Sequence, residues 1–178
     1  SAECFPIAKV GGLADVVGAL PKYQKDLGAT SSVVMPYYNN TFTQNNTFET
    51  LHDHYISLGH EYYHFKVLKL TNHQLGFDLF CIDIPDLLYT EFVYSNADTK
   101  RFLAFQIATL DWILTLKATP DIIHVHDHHA GLIPFMMSCS FKYASLKNIP
   151  TVLTIHNAQY QGWFSHALAN LIPPFNYE

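Results

Sequence analysis

The stretch Pro120-Asp121-Ile122-Ile123-His124-Val125-His126-Asp127-His128-His129-Ala130-Gly131, with Thr151-Val152-Leu153-Thr154-Ile155-His156-Asn157 downstream of it, decides the fold. Asp121 to Val125 and Thr151 to Ile155 read as short strands of the buried type, and Ala130 to Ala144 between them as a mostly apolar helix. Phe164 to Leu171 reads as the opening of another helix. Strand, helix, strand, helix over short links predicts an α/β domain: a parallel sheet covered by helices. In such sheets ligands lie beyond the carboxyl ends of the strands, so His126 to His129 and His156-Asn157 are expected at one rim.

Upstream, Leu13, Val16, Val17, Leu20 and Leu27 recur at helical spacing, opened by Gly11-Gly12 and closed by Gly28, against the local propensity of Gly18 and Pro21. Ser32 to Met35 reads as a buried strand stopped by Pro36. Tyr37 to Glu61 is rich in Asn, Thr and His and reads as a surface excursion. Tyr63 to Leu70 and Leu75 to Ile84 then suggest a hairpin, with an apolar phase shift between Leu79 and Phe80 that a bulge or full burial would explain. Pro85 to Asp98 looks irregular. Phe102, Leu103, Ile107, Leu110, Ile113 and Leu114 mark a long amphipathic helix ending near Lys117, its basic and polar residues expected in solvent. A glycine turn that leads into a helix normally follows a first strand. Only eight residues precede Lys9 and none forms one, so a missing first strand is expected.

The 178 residues, 49% hydrophobic, suffice for one domain with a sizeable core and not for two comfortable ones. A net charge of -5 gives no electrostatic footprint for nucleic acid or an anionic membrane, and no apolar run approaches a membrane span. The three cysteines are an odd, widely spaced set in apolar stretches, expected as reduced thiols in a cytoplasmic protein. Of the ten Lys and Arg only Arg101 is arginine, so this chain alone cannot grip a diphosphate with bidentate forks.

Three constellations carry chemistry. In Lys9-Val10-Gly11-Gly12-Leu13, two glycines let backbone amides approach a ligand, the following helix offers unpaired N–H groups and Lys9 adds a charge, which suits an anion. A tight turn with a surface lysine is the plain alternative. Glu3 stands close to this turn, to bind a hydroxylated ligand or to pair with Lys9. The second is His124 to His129, four of the eleven histidines in six positions. Strand alternation puts His124 and His126 on one face, so a zinc-dependent hydrolase is a legitimate reading. Against it, the aspartate is one residue early for a dinuclear His-x-His-x-Asp-His site. The plain reading makes His124 a satisfied, half-buried histidine and His129 a cap for the next helix. The third is His156-Asn157 followed by Ala-Gln-Tyr-Gln-Gly-Trp-Phe, where donors and acceptors beside aromatics suit sugar hydroxyls. Turn formation by Asn157 is equally compatible.

Taken in order, these segments carry a resemblance. The opening run from Ser1 to Pro21 resembles the signature of bacterial glycogen synthases and plant starch synthases, glycosyltransferase family 5. Pro120 to Gly131 is similar to that family's His-x-His-Asp-Trp-His segment, with His128 in place of Trp. Thr154 to Gly162 is similar to its Thr-x-His-Asn-x-x-Tyr-Gln-Gly segment. The resemblance implies two Rossmann-like domains facing across a cleft, the GT-B arrangement, of which this chain is the N-terminal, acceptor-side part. It lacks the first strand and needs its own C-terminal nucleotide-sugar domain. It also implies retaining transfer of glucose from ADP-glucose, or sometimes UDP-glucose, to the non-reducing 4-hydroxyl of an α-1,4-glucan, without a metal or other cofactor. By that similarity Lys9, Gly11 and Gly12 contact the donor with Asp15 nearby. Asp127 sits beside the reacting centre with His126, His156 and Asn157 line the glucose pocket, and Tyr94 matches a cleft tyrosine. A non-catalytic glucan-binding module is the remaining alternative.

Overall fold

The computed structural model describes residues 1–176. In chain order the elements are α1 (Gly12–Asp26), β1 (Ser32–Pro36), α2 (Thr41–Asn45), β2 (Phe48–Leu58), β3 (Glu61–Leu70), β4 (Asp78–Asp83), α3 (Asp98–Ile113), β5 (Ile123–His126), α4 (Ile133–Cys139) and β6 (Thr151–Thr154). Two 3₁₀ helices, Phe141–Leu146 and His166–Leu171, follow α4 and β6 respectively.

The α/β class holds, and the sheet is mixed. Four strands run in the order β1-β4-β3-β2, with β1 and β4 parallel and the β4–β3 and β3–β2 contacts antiparallel. β5 and β6 form a separate parallel pair. Side-chain alternation feeds two apolar layers. Val33, Met35, Leu68, Leu70, Leu79 and Cys81 pack with Leu13 and Val17 of α1, while Phe65, Val67, Ile82 and Ile84 pack with α3 on the other face. This double burial explains the phase shift in β4, whose register with β3 runs without a bulge from Lys66↔Asp83 to Lys69↔Phe80.

α1 shows why a glycine is tolerated near its centre. A Cβ on Gly18 would lie 2.4 Å from the Phe5 carbonyl oxygen, so the helix needs glycine where the N-terminal strap crosses it. Phe5 N–H in turn bonds the Ala14 carbonyl at 2.9 Å, tying the strap to the helix.

Several expectations are corrected. The stretch from Tyr37 to Glu61 contains α2 and the 11-residue strand β2. β2 is an edge strand that buries only Ile56 and Leu58, with a register shift between Thr50 and His52, so its polar composition hides its periodicity. Three polar residues of α3, Arg101, Gln106 and Thr109, do not face water but are buried among its apolar ones, while Lys100 does lie at the surface. The helix expected over Ala130 to Ala144 breaks at Ser140, which turns extended and bridges to Phe175. The segment from Phe164 to Leu171 is a 3₁₀ turn rather than the start of an α-helix. Val152 and Leu153 of β6 are 45% and 47% exposed, so this strand is uncovered on both faces despite its apolar sequence.

Cys4, Cys81 and Cys139 are free thiols, and burial pushes Cys4 up to about 12. Among the described residues no helix is long and apolar enough to cross a membrane.

Candidate functional site

The glycine turn is shaped from beneath by Glu3. Its Oε2 accepts the backbone N–H groups of Val10 at 2.7 Å and Gly11 at 3.0 Å, and its Oε1 accepts the hydroxyl of Tyr94. Glu3 is only 2% exposed, so this carboxylate replaces water entirely with protein donors. The alternative pairing of Glu3 with Lys9 does not form: the hydrogen bonds of its carboxylate go to Val10, Gly11 and Tyr94. Lys9 instead holds Asp15 at 2.7 and 2.8 Å in an exposed ion pair. Beyond Gly11 the start of α1 has no side-chain cap, and a Cβ at Gly11 or Gly12 would meet nothing within 4 Å. The turn is therefore an open shelf at the positive end of a 15-residue helix, with one ammonium beside it.

The ends of β5 and β6 are stitched together by Asp127. Its backbone is left-handed at φ 56°, a conformation that Asp and Asn adopt more readily than other side chains. Asp127 Oδ1 accepts the N–H of His156 at 2.7 Å and, more weakly, that of Asn157 at 3.4 Å. Its other oxygen has no partner among the described residues. Asn157 also receives Gln159 N–H on its own side-chain oxygen at 3.0 Å, so it does form a turn. The loop stays against this corner because Gly162, at φ 66°, lies on the His128 ring, where a Cβ would come within 2.4 Å of that ring.

The histidines form a hydrogen-bonded series along β5. His124 shares a 2.7 Å contact with Thr154 Oγ1, and His126 Nδ1 meets His156 Nε2 at 2.9 Å. Adjacent rings lie near-parallel, 4.3 Å apart for His124 and His126 and 5.2 Å for His126 and His156. Burial pushes His126 down to about 3, so its imidazole is neutral at neutral pH. His129 does not cap α4. Its ring sits between Tyr94, stacked at 4.8 Å, and Phe102 at 4.7 Å, and burial takes it down to about 3 as well. The N–H at the start of α4, that of Leu132, goes to Gln106 of α3 at 2.8 Å.

Of the imidazoles that a zinc hydrolase would need, His124 is engaged by Thr154, His126 by His156, and His129 by the Tyr94 and Phe102 rings. Among the described residues no three His, Cys, Asp or Glu converge to hold a metal ion, which removes the support for that reading. The sequence assigned Lys9, Gly11, Gly12, Asp15, Asp127, His126, His156, Asn157, Tyr94 and Glu3 to one site, and contacts link several of them. Glu3 links the glycine turn to Tyr94, Tyr94 stacks on His129, and Asp127, two residues earlier, anchors His156 and Asn157. Lys9, His156 and Asn157 are exposed on the resulting surface while Glu3, His126 and Asp127 are buried beneath it. A cavity of about 360 Å³ lies elsewhere, between Ser57, Gly59 and His60 on one side and Ala169–Phe175 on the other. The site is an open wall.

Gln106 and Arg101 escaped the sequence reading. Both are polar residues in an apolar helix, a signal that points inward as readily as outward.

Comparison with known proteins agrees with this geometry. The family model described as starch synthase catalytic domain matches residues 1–177. A glycogen synthase of Flavobacterium johnsoniae is 50% identical over 177 residues, covering 99% of this chain and 37% of the relative. One from Hydrogenobaculum sp. is 37% identical over 97% of this chain and 35% of its own length. Among solved structures, the catalytic domain of starch synthase IV from Arabidopsis thaliana, bound to ADP and acarbose, superposes with a TM-score of 0.85 at 26% identity, covering 96% of this chain and 35% of that one. The chain thus spans just over a third of the length of these relatives, and it belongs to the starch synthase catalytic domain family.

Proposed function

We propose that the protein to which this chain belongs is a retaining glucosyltransferase that moves glucose from ADP-glucose to the non-reducing 4-hydroxyl of an α-1,4-glucan. The chain forms the acceptor-side wall of a GT-B cleft. The observation that carries the reading is the convergence of three segments distant in sequence, Lys9–Gly12, Asp127 and His156–Asn157, through Glu3, Tyr94 and His129. The ADP and acarbose held by the Arabidopsis relative, a nucleoside diphosphate and an oligosaccharide mimic, support the same pair of substrates here.

On this reading the shelf at Gly11 and Gly12, with Lys9, faces the donor diphosphate, and Lys9 exchanges Asp15 for phosphate oxygen when the donor arrives. The free oxygen of Asp127 faces the anomeric carbon as positive character develops there. His156 and Asn157 offer polar groups to the glucose hydroxyls. The bond from C1 to the β-phosphate oxygen breaks, the acceptor oxygen bonds C1 on the same face, and its proton leaves with the departing diphosphate. The opposite wall, carrying the remaining nucleotide contacts, comes from the C-terminal domain.

The test is transfer of labelled glucose to glycogen by the full-length protein. Incorporation from ADP-glucose is expected. Absence of transfer from both ADP-glucose and UDP-glucose, in protein that is folded, overturns the proposal.

A further inference from the structure

Arg101, 3% exposed, is a guanidinium withdrawn from water, which is sustained only if its five N–H groups find partners. One loop supplies nearly all of them. Nε donates to the Leu87 carbonyl at 2.9 Å, Nη2 to Thr90 Oγ1 at 2.8 Å, and Nη1 to the Val93 carbonyl at 3.0 Å, with Asp98 at 2.7 Å balancing the charge. This loop has no strand or helix of its own between β4 and α3; the Leu87 and Val93 carbonyls take their donors from Arg101, while those of Ile84, Leu88, Thr90 and Phe92 are answered within the loop or by Asn39 N–H. The residue after Val93 is Tyr94. Its hydroxyl ends on Glu3 Oε1, and the other oxygen of Glu3 holds the amides of Val10 and Gly11. A single phenol thus joins the loop that Arg101 clamps to the turn that faces the ligand.

We infer that Arg101 is a positioning residue: by clamping residues 87–93 it holds Tyr94 against Glu3 and thereby fixes the shape of the Lys9–Gly12 turn. Only the role of that turn in donor binding rests on the proposed function. The clamp itself does not. Lysine cannot substitute, because a point charge with three donors cannot reach carbonyls and a hydroxyl on three sides of a planar fork.

The experiment uses the full-length protein with three variants, Tyr94→Phe, Arg101→Lys and the double substitution. Hydrogen exchange in a peptide spanning residues 8–13 and the donor KM against kcat are read side by side. Each single variant is expected to speed exchange at the turn and to raise the KM for ADP-glucose by about tenfold, with a smaller change in kcat, as loss of a charge-assisted bond would. Because both cut the same connection, the double variant is expected to be no worse than the weaker single. Additive effects, or exchange that rises equally in a β6 peptide, would reduce Arg101 to a support of the fold and overturn the inference. Should Arg101→Lys not fold, Thr90→Val removes one contact of the clamp and must still loosen the turn. Unchanged turn exchange in Tyr94→Phe overturns the inference outright. If the wild type transfers no glucose, the proposed function fails, while exchange still decides the clamp.

Discussion

At Asp127 a left-handed backbone, a buried carboxylate and the two N–H groups it accepts are combined in one residue. Its two oxygens differ: Oδ1 holds the corner after β6, and the other has no partner among the described residues. Asn retains the backbone preference and a carbonyl oxygen for His156 N–H but loses the charge. Asp127→Asn should therefore keep the wild-type melting temperature and lower turnover of the full-length enzyme by about 100-fold or more. Asp127→Ala should lose both stability and turnover, since Ala resists positive φ and leaves the His156 amide unanswered. Calorimetry and steady-state kinetics on the two variants check this. Near-normal turnover in Asp127→Asn would remove the carboxylate charge from the mechanism.

At the scale of elements, β5 and the turn after it place two buried imidazoles, His126 and His129, that burial depresses from 6.5 to about 3. Between those values the folded rings stay neutral while the unfolded chain takes up protons. Stability thus rises with pH through that window, is complete above about 6.5 and is lost as pH falls toward 3. The melting temperature should drop from pH 7.5 to pH 5, and His129→Phe, which keeps a ring between Tyr94 and Phe102, should shrink that drop. An unchanged drop would contradict it. Much of this architecture was legible in the chain. The apolar runs ending at Val125 and Ile155 announced parallel strands whose tips share a rim, and Asp127 does meet His156 there. β2 was not legible, because an exposed edge strand with a bulge keeps only two buried side chains to reveal its period. Arg101 and Gln106 misled for a different reason. Their partners are loop carbonyls and a helix N–H that only the folded chain brings near. The Glu3–Tyr94 bond spans 91 positions, a pairing that no local pattern encodes.

For the molecule as a whole, β6 pairs among the described residues only with β5, and Val152 and Leu153 within it and Ile155 just beyond it are 45%, 47% and 63% exposed. An apolar strand with an open edge and two uncovered faces templates association. The 178-residue chain alone should therefore associate with rising concentration in sedimentation experiments, and Leu153→Lys should weaken that association. A wild-type chain that stays monomeric at high concentration would refute the expectation. Arg101, committed to backbone carbonyls of its own loop, has a consequence for the proposed chemistry. The wall that meets a dianionic leaving group brings to it one ammonium, already shared with an aspartate, and a helix terminus. On the proposed function the remaining countercharge comes from the opposite wall of the cleft, so closing that cleft is the event that would render the diphosphate able to depart. A nucleotide sugar resting on this wall in the open state is then protected from premature cleavage by shortage of positive charge.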